Sequence, residues 1–365
     1  MLTLSDTLPV IDLDVFLSLP EQSVRVQEEC KKAADALITY GALLVHDSRV
    51  SEEDNDIFLD LIEDYFAQPA EELQKDERPE IHYQVGVTLD NTEKPKCAVD
   101  EPCLDIIASL DPAERPLDIS GHHPDPKCRF FWKMGVPPPY ETEYPALNAP
   151  NVVPQAPDIR EKWEATMEKW GHSMKNAVEN IAEMTAIGLG LPRDFIKDAG
   201  KYGPHLLGPT ASDLVRYGQR DTILAGFHTD LNCLTIHGRS RYPGLNIWAR
   251  NTGKRIPVRF PPTGRYLLVQ AGKQIEHLTG GLIKAGFHEV VVNEATLQTM
   301  ERRKASHPNR PLIRISSTFF WHLSSDYELV PIPDLSERAE ALNVTQNAYQ
   351  NTVYERIKVG QQVQK

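Results

Sequence analysis

The 365-residue chain contains no apolar run near the ~18 residues that a membrane helix needs. Its opening, Met1 to Val10, has neither a basic cluster nor a long apolar stretch, so no secretory signal is expected. Basic residues are outnumbered. There are 39 Lys and Arg against 52 Asp and Glu, a net charge of −13. So acidic a chain is poorly suited to holding a nucleic acid backbone, although a local basic pocket for an acidic small molecule stays open. Cysteine is scarce and odd in number: Cys30, Cys97, Cys103, Cys128 and Cys233. Together with the missing signal, this predicts unpaired thiols and a reducing, cytoplasmic setting. A zinc site from Cys97, Cys103, His122, His123 and Cys128 fits no short C-x2-4-C knuckle; the stretch reads as a loop. Internal repeats and low-complexity segments are absent. What remains, 41% hydrophobic and 25% charged residues, is an ordinary globular composition with length enough for a core.

Hydrophobic spacing divides the chain near residue 200. Residues 22–40 place Val24, Val26, Cys30, Ala33, Ala34, Leu37 and Ile38 on roughly one helical stripe. Leu43–His46 reads as a short strand. Ser51 begins a second helix, with acids in its first turn and a wide apolar face from Ile57 to Phe66. Residues 75–157 are rich in Pro, Asp, His and Asn and read as long loops with short strands. A long helix follows from about Asp158 to Ile187, its stripe built of Trp163, Met167, Trp170, Met174, Val178, Ile181, Met184 and Ile187. Gly188-Leu-Gly-Leu-Pro192 stops it. From residue 213 the period becomes two. The predicted strands are 213–217, 233–237, 245–248, 266–270, 287–293 and 312–323. A closing helix is expected over 346–358. Helices packed on one side of a β-sandwich follow from this order.

The chemistry gathers in three places. In Gly226-Phe-His-Thr-Asp230, His228 and Asp230 sit two apart, on one face of an extended chain. A histidine from a facing strand would complete a 2-His-1-carboxylate set with one side open, the arrangement of non-haem Fe(II) oxygenases. His277 and His288 both follow and both qualify on residue type. Arg314 and Ser316 also share a face, inside the apolar strand Pro311–Trp321. An arginine there is costly to bury unless it meets an anion, and its fork suits a carboxylate; a buried Arg–Asp pair is the alternative. Tyr217 could donate a third hydrogen bond.

Taken in order, these segments resemble the isopenicillin N synthase-like branch of the Fe(II)/2-oxoglutarate-dependent dioxygenases. The resemblance spans nearly the whole chain: Leu8-Pro-Val-Ile-Asp-Leu13, Tyr40-Gly41 before an apolar strand, the long helix to Pro192, Leu214-Val-Arg-Tyr217, His228-Thr-Asp230, the run Gln270–His288 and Arg314-Ile-Ser316. It selects His288 over His277, because Thr279-Gly-Gly…Lys284…His288 matches the family's segment before the second histidine; His277 and His237 then read as structural. It implies an α+β, mainly β fold with a double-stranded β-helix (jelly-roll) core and helices on one side. The chain would form one structural domain: a helical and loop-rich region 1–200, a catalytic jelly roll 201–330 and a C-terminal helix 331–365. His228, Asp230 and His288 would hold Fe(II). Arg314, Ser316 and Tyr217 would bind the far carboxylate of 2-oxoglutarate, with O2 as the other cosubstrate. The product would come from hydroxylation, desaturation or ring closure of a small molecule in secondary metabolism, acidic if an arginine such as Arg216, Arg239 or Arg241 faces the cavity. Phe319, Trp321 and His322 are further candidates for the substrate wall. No nucleic acid or membrane partner is implied, and a monomer or weak oligomer is expected.

Two features depart from the family pattern. Lys273 and Gly280 replace its usual Asp and Asn, and a polar stretch, Glu294–Arg310, is inserted before Arg314 as a surface helix, loop or lid. Rival readings are an Fe(II) oxidase of the same fold that does not use 2-oxoglutarate, a non-catalytic binding protein on this fold, and a zinc hydrolase with the same ligands.

Overall fold

The computed structural model describes residues 7–117, 123–261, 265–346 and 354–364. Two sheets face each other. The larger has ten strands. Its path runs Val10–Asp12, Ala42–His46, Tyr266–Ala271, Leu234–His237, Thr318–Trp321, Leu206–Leu207, Cys128–Lys133, Thr210–Asp213 and Ile313–Ser316, with Gly86–Thr88 paired on Cys128–Lys133. The smaller has four, Arg255–Pro257, Leu245–Trp248, Phe287–Val291 and Ile223–His228. Most pairings are antiparallel. Val10–Asp12 joins Ala42–His46 in parallel.

Alternation along each strand sorts residues between two environments. Leu234, Ile236, Val269, Phe319 and Trp321 point outward from the large sheet. They join one apolar core with Trp163, Met167, Trp170, Met174 and Ile181 of the long helix, Pro157–Leu189. That helix ends at Gly190, whose φ of 84° is left-handed and costs glycine nothing. Two further helices, Val24–Tyr40 and Glu52–Phe66, pack against it. Ser23 and Ser51 cap them, accepting from the N–H groups of Val26 and Asp54.

The second sheet's outer face is covered by the region expected to be loop. It contains a helix, Glu101–Ser109, started by Asp100 at its N-cap. Cys97, Cys103 and Leu110 pack there on Phe227, Trp248 and Phe287. Cys97 and Cys103 form a disulfide. This corrects the expectation of unpaired thiols at those two positions, although Cys30, Cys128 and Cys233 are free. It also removes two members of the conceivable zinc set; His122 lies outside the described residues, and His123 is exposed.

Three further expectations change. The strand predicted at 213–217 ends at Asp213, whose side chain caps a short helix, Leu214–Tyr217. The single strand predicted over 312–323 is two, because Ser317 breaks it. Trp170 Nε1 donates to the Ser317 hydroxyl at 2.7 Å, and the Ser317 carbonyl accepts from the Gly238 N–H. The helix expected at 346–358 does not form at its described end. Ile357–Lys358 instead pairs with Glu328–Leu329, and 347–353 lie outside the described residues. A helix does run from Pro333 to Gln346. No described helix is long and apolar enough to cross a membrane.

Candidate active site

The interior between the sheets is polar, in contrast to the apolar outer core. Ile223–His228 and Phe287–Val291 are neighbouring antiparallel strands, and His228 and His288 are direct partners across them. Phe227 and Phe287 therefore point out while both imidazoles point in. Gly226 leaves room for Pro95, which a Cβ there would meet at 2.4 Å. Asp230 sits in the turn after the first strand. Its Oδ1 is 3.8 Å from His228 Nε2 and 3.8 Å from His288 Nε2. All three ligating atoms lie within 4.8 Å of one another.

Each member of the set is oriented by a second group. His228 Nδ1 donates to the Gly226 carbonyl at 2.6 Å, and His288 Nδ1 faces that of Gly286 at 3.4 Å. Both Nε2 atoms are thereby left to ligate. Thr235 donates its hydroxyl to Asp230 Oδ2 at 2.6 Å, which leaves Oδ1 toward the histidines. Burial, then His288 and Lys127, push the His228 pKa down to about 3, so its ring is neutral at pH 7. Burial alone would raise the Asp230 carboxyl, but His288, His228 and the Thr235 hydroxyl outweigh it and hold the group lowered. His228 and Asp230 are therefore held deprotonated, as a metal requires. Two imidazoles and one carboxylate converging from one side fit Fe(II) with an open face.

Arg314 lies on the inner face of Ile313–Ser316, opposite Ser212. It is 5% exposed. Nη1 donates to Ser316 Oγ at 2.6 Å and Nε reaches the Pro243 carbonyl at 3.4 Å. Among the described residues no carboxylate pairs with it. Its pKa falls to about 10, and burial is the cause. The buried Arg–Asp alternative is thus not what the structure contains.

Tyr217 does not join this pair. Its hydroxyl donates to Asp90 at 2.9 Å and accepts from Asn91 at 3.2 Å. The reason is local: the helical turn Leu214–Tyr217 carries its ring away from the strand face predicted for it. The three arginines considered for substrate also lie elsewhere. Arg216 pairs with Asp90, Arg239 is exposed, and Arg241 binds Glu63 and Asp60. Phe319 and Trp321 belong to the outer core. His322 is buried, with Gln274 on its Nδ1 and His205 accepting from its N–H. His277 stands beside Tyr354, apart from the metal set. The insertion forms a helix, Glu294–Ser306, with an Asn293–Thr296 capping box. Arg303 and Arg310 tie it to buried Glu63, and Thr296 donates to the Pro243 carbonyl that Arg314 also uses. It is fixed at the Arg314 end of the barrel, which is an anchored position rather than that of a lid.

Several residues escaped sequence reasoning. Arg129 and Phe131 face inward from Cys128–Lys133. The guanidinium lies 3.8 Å over the Phe131 ring and pairs with Glu93 at 2.7 Å. Phe131 meets Phe320 edge to face at 5.9 Å, and Phe320 is the cross-strand partner of Thr235. Period-two alternation in this short strand was the only available signal. A second cluster, Asp12, Asp14 and His46, is half-exposed, and its carboxylates already accept from the Asp14 and Ser48 N–H groups.

Comparison with known proteins assigns the class. A profile of the 2OG-Fe(II) oxygenase superfamily matches residues 201–323, and the non-haem dioxygenase in morphine synthesis N-terminal family matches 8–156. Residues 201–323, which hold the metal set and Arg314, are thus similar to the 2OG-Fe(II) oxygenase superfamily. Azadirone synthase of Melia azedarach is 27% identical over 160 residues, covering 41% of this chain and 46% of its own. The flavonol synthase/flavanone 3-hydroxylase of Petunia hybrida is 26% identical over 190 residues, 51% of this chain and 48% of its own. The chain thus spans about half the length of the curated relatives it matches. In fold, a 2OG-Fe(II) oxygenase family protein of Caulobacter crescentus superposes with a TM-score of 0.69 at 19% identity, covering 99% of this chain and 98% of its own. The Neurospora crassa T7H complex with alpha-KG does so at 0.69 and 18%, covering 99% and 96%. The expected jelly-roll architecture with flanking helices is the fold of these neighbours.

Proposed function

We propose that the protein is an Fe(II)- and 2-oxoglutarate-dependent oxygenase of a small molecule. The observation that carries this reading is Arg314: a buried guanidinium with no acidic partner among the described residues, in the same polar interior as a 2-His-1-carboxylate set. His228, Asp230 and His288 would hold the metal, with Thr235 and the Gly226 and Gly286 carbonyls fixing their orientation. Arg314 and Ser316 would bind the far carboxylate of 2-oxoglutarate through a charged fork and a hydroxyl. When bound, Fe(II), 2-oxoglutarate and O2 supply the oxidising chemistry, in which 2-oxoglutarate becomes succinate and CO2. The chain's own work is to place a substrate C–H bond beside the metal set and to exclude water.

Phe131 and Phe320 suit a flat apolar portion of the substrate. Arg129, beside them, and Lys127, near His228, suit a polar or acidic edge. Relatives named for secondary-metabolite synthesis support a small-molecule substrate.

The test is anaerobic calorimetry. Fe(II)-loaded protein should bind 2-oxoglutarate at one site, and metal-free protein should bind it far more weakly. Tight iron binding without any 2-oxoglutarate binding would overturn the reading in favour of the oxidase that takes its electrons from substrate alone.

A further inference from the structure

His237 ends the strand Leu234–His237 and faces the barrel interior, on the same side as Thr235. Its ring centre stands 6.5 Å from that of His288. It is close enough to Asp230, His288 and Arg314 to feel the charge of all three, so it stands near both the metal set and the arginine. Thr318, its direct partner on the next strand, brings Oγ1 to 3.2 Å from Nδ1. With that hydroxyl donating to Nδ1, the ring proton sits on Nε2.

Among the described residues His237 Nε2 is buried without a well-formed hydrogen bond, and the Gln270 amide is the polar group beside it. A buried donor so weakly matched requires an explanation, because buried donors are otherwise almost always paired. It stands near both the metal set and Arg314, the two groups that a dicarboxylate would bridge. Tyr217, the donor expected there, is already engaged with Asp90.

We propose that His237 is the third donor to the far carboxylate of the cosubstrate, its Nε2–H completing the set begun by Arg314 and Ser316. This rests on the 2-oxoglutarate reading above. It gives the chain a polar contact from a residue that its sequence pattern marked as structural.

The experiment is anaerobic calorimetric titration of Fe(II)-loaded wild type, His237→Leu and His237→Gln. His237→Leu should raise the 2-oxoglutarate Kd about tenfold, the size of one lost bond to a charged group. His237→Gln, which keeps a donor, should recover most of that loss. 2-Oxobutyrate has the same keto-acid end without the far carboxylate, and it should bind wild type and His237→Leu equally. An unchanged 2-oxoglutarate Kd in folded, iron-bound His237→Leu overturns the role of His237 and leaves the functional reading standing. Equal weakening of both keto acids also overturns it, since His237 would then serve the metal end. A wild type that binds iron but no 2-oxoglutarate overturns both. If His237→Leu does not fold, Thr318→Val decides. It removes the hydroxyl that fixes the tautomer and should weaken 2-oxoglutarate about threefold, a fraction of one bond; no change there overturns the proposal.

Discussion

The inner and outer faces of the large sheet are built from alternate residues of the same strands, yet they do different work. Outward, Ile236, Ile313, Ile315, Phe319 and Trp321 are buried in an apolar core backed by the long helix. Inward, Thr235, His237, Arg314, Ser316 and Thr318 line a polar interior, where they bond to one another, to Asp230 and to the Pro243 carbonyl. The outer face sets stability through area and packing. The inner face sets chemistry and tolerates unmatched groups that a ligand would complete. In this strand geometry a one-residue step separates scaffold from site.

That contrast can be broken by exchanging the expected effects. The largest belongs to Asp230→Ala, which leaves two imidazoles and no carboxylate. It should reduce Fe(II) affinity beyond the roughly 10–100-fold cost of losing an outer partner, measured by metal titration, while thermal unfolding of the metal-free protein moves little. An outer-face change does the reverse. Phe319→Ala should cost about 3–5 kcal/mol in chemical denaturation, with the ligating residues untouched; a cost below about 1 kcal/mol would deny the outer face its structural role. Arg314→Lys keeps the charge and loses the fork. It should raise the 2-oxoglutarate requirement by about 10-fold or more and leave iron affinity alone.

Acid should then weaken both faces together. His322 is held down to about 3 and His205 well below 6.5, both chiefly by burial. Their folded forms bind fewer protons than the unfolded chain, so their contribution is complete above about pH 6.5 and is lost as pH falls toward their folded values. Metal-free protein should be less stable at pH 5 than at pH 7.5, and equal stability would contradict the burial of these rings. The smallest effect belongs to Tyr217→Phe. Because its hydroxyl is bound to Asp90 and Asn91, the 2-oxoglutarate Kd should change by less than about twofold.

Much of this was legible from spacing. The helices at 22–40, 51–66 and 158–187 carry single apolar stripes and clear caps, and each forms within a few residues of its expected ends. His228, Asp230, His288, Arg314 and Ser316 could be singled out because i and i+2 share a face and because their order resembles a known family. The errors have physical causes. Tyr217 was misplaced because Asp213 caps a helical turn where the pattern read as strand. The break at Ser317 is tertiary, made by an indole and a backbone N–H distant in sequence. The Cys97–Cys103 pairing is local, but its helix is masked by Pro and Asp composition. Arg129 was missed because its only signal was the alternation of one short strand, which does not say which face turns toward the interior.

The most direct test of the central claim is optical. Under anaerobic conditions Fe(II) and then 2-oxoglutarate are added to the metal-free protein, and the visible absorption band of a chelated keto acid is followed. If the metal set and Arg314 hold the two ends of one molecule, a saturable band appears in wild type, needs far more 2-oxoglutarate in Arg314→Lys, and is missing in Asp230→Ala. Iron binding with no band at any 2-oxoglutarate concentration would contradict the account.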